Sequence, residues 1–223
     1  MTKRLFFEAI GKVAAGIVLV AALLFLPAGT LRWPDGWLLI VILFVPMFAA
    51  GVVMMLRSPE LLRKRLSARE TEEEQKQVIS GSAVVFLTAF ILAGLNFRFG
   101  WIRMPRWIVW MAAAVFIAAY ALYAEVLREN VWLSRTVEVQ EGQKVVDTGL
   151  YGIVRHPMYA ATLLLFLSMP LVLGSPLSFA VMLFYLPLIV RRIKNEEKVL
   201  AEGLPGYTAY TELVRYRLIP GLW

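Results

Sequence analysis

Residues 156–197 read HPMYAATLLLFLSMPLVLGSPLSFAVMLFYLPLIVRRIKNEE, and this stretch decides the fold. Two apolar runs, 158–173 and 178–190, are separated only by Gly174, Ser175, Pro176 and Leu177. Four residues allow a turn and nothing larger, so the runs form a helical hairpin whose far ends are neighbours. The first arm gives ~24 Å of helix at 1.5 Å per residue. The second gives ~20 Å over 178–190, but its helical pattern continues to Leu200 and reaches ~35 Å. The longer arm therefore projects beyond the hydrocarbon. It carries Glu196 and Glu197 to the level of Arg155 and His156, the chain's one histidine.

Upstream of the hairpin the sequence repeats one theme. Four apolar stretches near 11–27, 37–56, 78–97 and 107–127 have the length of about 20 residues needed to cross ~30 Å of hydrocarbon. With 60% hydrophobic residues in a chain of 223, an ordinary soluble domain is excluded. The fold class predicted is all-α integral membrane, with about six crossings: four full spans plus the C-terminal hairpin. Lys3 and Arg4 precede the first stretch as they would in a secretory signal, but 27–30 is a poor cleavage site and further spans follow, so it is expected to stay as an anchor. Of the 23 Lys and Arg, 19 fall on one side of such a six-crossing chain and four on the other. The positive-inside rule then puts both termini, the 57–77 loop and the 128–158 loop in the cytosol. In a prokaryote the membrane would be the cytoplasmic one.

The same asymmetry accounts for the net charge of +7 without nucleic acid, because basic residues at a membrane face meet anionic headgroups. The absence of cysteine excludes disulfides, thiolate catalysis and Cys-ligated metal. One histidine argues against a His-rich metal site, and no metal is expected. No internal repeat is visible, so a single membrane domain is expected. Its N-terminal spans occupy 1–127 and a loop, hairpin and tail region occupies 128–223.

Ser58, Pro59 and Glu60 suit a helix start. Leu61, Leu62 and Leu66 beside Arg63, Lys64 and Arg65 then read as an interfacial helix. The acidic run at 70–74 reads as a solvated connection. The fourth span ends in Glu125, Arg128, Glu129 and Asn130. These acids are either functional or simply paired with neighbouring bases. Residues 131–150 alternate weakly, with Gly142 and Gly149 as breakers, and predict an ordered loop or short hairpin. After the break at 203–206, Tyr207, Tyr210, Leu213, Val214 and Arg217 share a helical face and predict a short amphipathic helix against the membrane, ended by Pro220.

Arginine, histidine and tyrosine are donors for an anion, and paired glutamates are acceptors for a cation. A zwitterionic amino-acid moiety needs both. Glu196 or Glu197 would take its ammonium, and His156, Tyr159 or Arg155 its carboxylate. Pro157 frees backbone groups just before the hairpin. Ordinary alternatives exist for each residue: an i,i+4 pair for Arg192 and Glu196, a cap for His156, and an aromatic belt for Tyr159.

The stretch from Glu129 onward resembles the isoprenylcysteine carboxyl methyltransferase family, with its phospholipid N-methyltransferase relatives. The resemblance rests on Asn130, Trp132, Ser134, Val137 and Gln140, then Asp147-Thr-Gly149-Leu-Tyr151. It continues through Arg155-His156-Pro157-Met-Tyr159, Glu196-Glu197-Lys-Val-Leu200, Pro205-Gly206-Tyr207 with Tyr210, and Val214-Arg215-Tyr-Arg217-Leu-Ile-Pro220. Ala161 and Leu150 depart from the family's usual Gly and Pro. The resemblance implies an integral-membrane enzyme that uses S-adenosylmethionine and methylates a lipid-tailed acceptor drawn from the bilayer. Catalytic roles would fall to Glu197 and Arg155. The cofactor would contact Tyr151, His156, Pro157, Tyr159, Glu196 and Glu197. Glu125, Arg128, Asn130, Arg215 and Arg217 would contact the acceptor. The Arg-His-Pro-x-Tyr junction and the Tyr-Arg-x-Ile-Pro ending are similar to those of sterol reductases as well, which implies NADPH as the alternative cofactor. A non-catalytic lipid-binding protein of the same shape is the third possibility.

Overall fold

The structure, a computed structural model, describes residues 3–66, 73–134 and 136–223. Most of the acidic run at 70–74 and the side chains of Leu61, Lys64 and Arg65 lie outside the described residues. The described residues form helices and connecting segments without a strand. Four long helices come first: α1 (Lys3–Ala28), α2 (Pro34–Arg57), α4 (Glu73–Phe99) and α5 (Arg106–Glu129), with the short α3 (Pro59–Leu66) between α2 and α4. The hairpin follows as α6 (Pro157–Val172), α7 (Pro176–Met182) and α8 (Tyr185–Gly203), and α9 (Tyr207–Leu213) closes the series. Five segments are long and apolar enough to cross a membrane, with α7 and α8 together forming the fifth, and α6 is a shorter apolar helix. The chain is an all-α, multi-pass integral membrane protein.

The expected spans grow at their ends, most of all the first, whose helix begins at Lys3 rather than near 11. Val18, Leu26, Val45, Trp107 and Trp110 project outward, as a hydrocarbon solvent permits. With lipid on the outside, helix association depends on close packing and internal hydrogen bonds. Gly94 illustrates the first: a Cβ there would stand 2.6 Å from the Leu24 carbonyl oxygen, so α4 touches the backbone of α1 only because this residue is glycine. Ala112, Ala113 and Ala119 of α5 similarly join the main core with Leu165, Met169 and Val172 of α6. Ser178 donates to the Ala89 carbonyl at 2.8 Å and Tyr120 to the Leu43 carbonyl at 2.7 Å, which ties α7 to α4 and α5 to α2.

The hairpin turn follows its sequence. Gly174 takes φ +65° at the end of α6, Ser175 caps α7 by accepting the Ser178 N–H, and Pro176 occupies the first helical position. The second arm is interrupted at Leu183 and Phe184, where the continuous pattern had predicted one helix. Pro187 accounts for the interruption, because it lacks an N–H and its ring crowds the carbonyl four residues back.

Two peripheral elements differ from expectation. Helix α3 packs back onto the bundle, with Leu62 buried against Leu5 and Met55, and Lys12 donates to the Leu66 carbonyl at 2.8 Å. The C-terminal helix ends at Leu213 rather than near Arg217, and most of its apolar face is covered by protein. Tyr207, Tyr210 and Val214 bury themselves with Leu204 against Val139, Val145 and Leu200. The 131–150 loop thus covers much of a face that the sequence predicts to lie against the membrane.

Candidate functional site

Pro157 begins α6 and Arg155 and His156 precede it, so both side chains leave non-helical backbone. That backbone is tied down by the C-terminal segment. The Arg155 N–H donates to the Tyr216 carbonyl and the His156 N–H to the Arg217 carbonyl, each at 2.9 Å. Three basic side chains then converge on one carboxylate. Glu197 Oε1 lies 3.2 Å from Arg155 Nε and 3.3 Å from His156 Nε2, and its Oε2 accepts from Arg217 Nε at 2.8 Å. Arg155, His156 and Glu197 are all nearly buried, with side-chain exposures of 8%, 4% and 12%. A carboxylate so placed is held in its charged form by its neighbours and in turn fixes their directions.

A second cluster sits beside the first. The Tyr159 hydroxyl donates to Glu196 and accepts from Arg192 Nε at 3.0 Å. Arg192 also donates to the side-chain oxygen of Gln75 at 2.9 Å, and Gln75 is fully buried at the start of α4. The His156 and Tyr159 rings lie 5.7 Å apart, which brings the two clusters into contact.

The loop before the Arg-His pair is set by a third group of contacts. Gly149 adopts φ +56° and begins a 3-10 turn through Gly152, and the Glu129 carboxylate accepts the N–H of Leu150 at 2.9 Å. A Cβ at Gly149 would stand 1.9 Å from Glu129 Oε1. Gly149→Ala is therefore expected to combine left-handed strain with loss of this charge-assisted bond, at a cost of roughly 2–4 kcal/mol. A melting temperature in detergent equal to that of the unmodified chain would contradict this account.

Tyr151 is buried in that turn, and its carbonyl accepts from the Tyr210 hydroxyl at 2.7 Å. Burial pushes the phenols of Tyr151, Tyr207 and Tyr210 well above their ordinary values; at Tyr207 the charges of Glu197 and Glu196 add to it and Arg155 opposes it. All three are neutral hydrogen-bonding groups at physiological pH. Two buried donors in this region have no protein acceptor: the Tyr207 hydroxyl, and Arg155 Nε, which is within ion-pair distance of Glu197 without being aligned for a hydrogen bond. Unsatisfied buried donors are costly, and they mark where a ligand's acceptor atoms fit.

The structure brings together Arg155, His156, Pro157, Tyr159, Glu196, Glu197 and Arg217, with Tyr151 adjoining through Tyr210. Glu125 and Arg128 bond to each other across one helical turn on an exposed surface, which is the ordinary alternative for that pair. The Asn130 side chain accepts the Trp132 N–H at 2.9 Å, and Arg215 is exposed. Gln75 and the linking role of Arg192 escaped the sequence reading. The expected span begins near 78 and leaves Gln75 in the connection; a glutamine in the first turn of the longer helix is the signal that could have found it.

Fold and geometry together define an integral membrane protein with a buried, charge-compensated polar site at one end of a helical hairpin. Residues 111–202 match the model of the isoprenylcysteine carboxyl methyltransferase (ICMT) family. A solved structure, the eukaryotic intramembrane Ras methyltransferase ICMT, has the same fold. It superposes with a TM-score of 0.60 at 18% identity, over 96% of this chain and 77% of that one. Two curated relatives are Delta(14)-sterol reductases. That of Methylotuvimicrobium alcaliphilum is 24% identical over 135 residues, covering 54% of this chain and 32% of the reductase. That of Mus musculus is 31% identical over 88 residues, covering 38% and 21%. The chain thus spans about a third or less of the length of these curated relatives.

Proposed function

We propose that the protein transfers a methyl group from S-adenosylmethionine to a membrane-embedded, lipid-tailed acceptor. The observation that carries this proposal is the Glu197 hub, which is assembled from the residues of the family-like motifs and has the Tyr207 hydroxyl and Arg155 Nε beside it without a protein acceptor. Arg155 and the Tyr207 hydroxyl are the groups for the cofactor's carboxylate, with His156 beside them. Glu196, held by Tyr159, is the acceptor for its ammonium. Glu197 acts differently from the expectation of a free ammonium ligand: with three basic partners, it sets the positions of the donors. When bound, the cofactor supplies a sulfonium methyl for in-line displacement. The protein's task is to align the acceptor at ~3–3.5 Å and exclude water.

The acceptor's chemistry follows from what the site lacks. An amine must lose a proton before attack and needs a general base, whereas a carboxylate is already ionised. The two acids at the end of the fourth span, which are the candidates for such a base, are engaged elsewhere, Glu125 by Arg128 and Glu129 by the Leu150 N–H. This favours carboxylate O-methylation of the isoprenylcysteine type over N-methylation of a phospholipid. The sterol-reductase relatives support a second reading, NADPH-dependent reduction. Calorimetry in detergent separates the two: S-adenosylhomocysteine is expected to bind and NADPH not to. Binding of NADPH alone would reverse the assignment, and binding of neither would favour a non-catalytic lipid-binding role.

The 19-to-4 distribution of basic residues supports a site on the cytosolic side. Because the chain has no cysteine, the test has a clean background. A membrane-impermeant thiol reagent added outside intact cells should modify Arg103→Cys and spare Gln143→Cys. The opposite pattern would invert the topology.

A further inference from the structure

On the side of α8 away from the Tyr159–Glu196 contact runs an open groove of about 440 Å³, lined by Pro187, Val190, Arg191, Lys194, Asn195 and Lys198. Two residues along a helix turn it by about 200°, so Lys194 and Lys198 cannot share a face with Glu196. The groove is therefore separate from the proposed cofactor site. Its lining changes character along its length: Pro187 and Val190 are apolar, and Arg191, Lys194 and Lys198 follow one, two and three turns later without an acid among them.

Two observations mark this groove as suited to an anion. Among the described residues neither Lys194 nor Lys198 has an ion-pair or hydrogen-bond partner, although the two stand at i,i+4, where like charges repel. Arg191 is held toward α4 by donating to the Gln77 side chain at 2.9 Å, so that one cation is preset before any ligand arrives.

We infer that this groove binds one anionic phospholipid of the adjoining leaflet, with its phosphate on Arg191, Lys194 and Lys198 and an acyl chain along Val190 and Pro187. A lipid is the occupant because the groove crosses from the apolar to the polar part of α8, and a soluble phosphate would use only its basic end. Basic clusters just outside the hydrocarbon attract anionic headgroups in this manner. The inference is independent of the reaction, since it uses none of the residues assigned to cofactor or acceptor.

The test is a thermal-shift titration of the full chain in neutral detergent with dioctanoyl phosphatidylglycerol, dioctanoyl phosphatidylcholine and inorganic phosphate. Phosphatidylglycerol is expected to raise the melting temperature saturably and phosphatidylcholine to leave it unchanged. In Lys194→Gln/Lys198→Gln, whose altered side chains are exposed and should not disturb folding, the half-saturating concentration should rise at least about tenfold. Val190→Asn should weaken the lipid response from the apolar end without creating one to phosphate. Equal responses to both lipids, or an unchanged titration in the double lysine variant, would overturn the site. Saturation by inorganic phosphate at the same concentrations would replace it with a site for a soluble anion.

Discussion

Removing the tail from the acceptor is expected to abolish methylation almost completely while leaving cofactor binding intact. Each buried CH₂ contributes ~0.8 kcal/mol, so a tail of ten carbons is worth up to ~8 kcal/mol of apparent affinity. This exceeds what the polar head can gain at a site where most of the charged groups are already paired with one another. The geometry behind the expectation is the unequal hairpin. α6 is 16 residues long, whereas α8 continues as helix to Gly203 and carries Glu197 beyond the apolar segment. A head at the hub can therefore be reached by a molecule whose tail remains among the helices or in the bilayer. The measurement is methyl transfer to matched acceptors with and without the tail. Equal efficiency on the tail-less, water-soluble acceptor would exclude lateral access from the membrane.

Glu197→Gln should weaken S-adenosylhomocysteine binding by roughly tenfold to a hundredfold, the ~1.5–3 kcal/mol typical of a charge-assisted hydrogen bond. The substitution keeps the side chain's size but leaves Arg155 and Arg217 facing each other without a counter-charge. The expected loss therefore acts through misplacement of the donors. Glu197→Ala should be worse in stability as well, by roughly 3–5 kcal/mol, because breaking a buried ion pair strands its partners. Melting curves distinguish the two effects, and Glu197→Gln is the decisive variant. If it folds and binds S-adenosylhomocysteine with unchanged affinity, Glu197 has no role in cofactor binding.

The sequence by itself determined the membrane class and the hairpin. These depend on local quantities: the length of apolar runs, a four-residue turn, and the positions of Gly174, Ser175 and Pro176. It also determined that His156 and Glu197 meet, because a tight turn between two helices of calculable length fixes which residues share a level. What each carboxylate does was decided only by the tertiary structure. Glu197 is shared among Arg155, His156 and Arg217, and Arg217 arrives on an extended tail whose pairing with residues 155–156 leaves no periodic signature. Gln75 joins Arg192 across 117 positions, a contact set by how α4 leans on α8 rather than by any spacing. The amphipathic face of α9 was legible, but its partner was not. An apolar stripe is equally satisfied by lipid or by a loop, and only the folded 131–150 segment, turning back with Val139 and Val145, selects the loop.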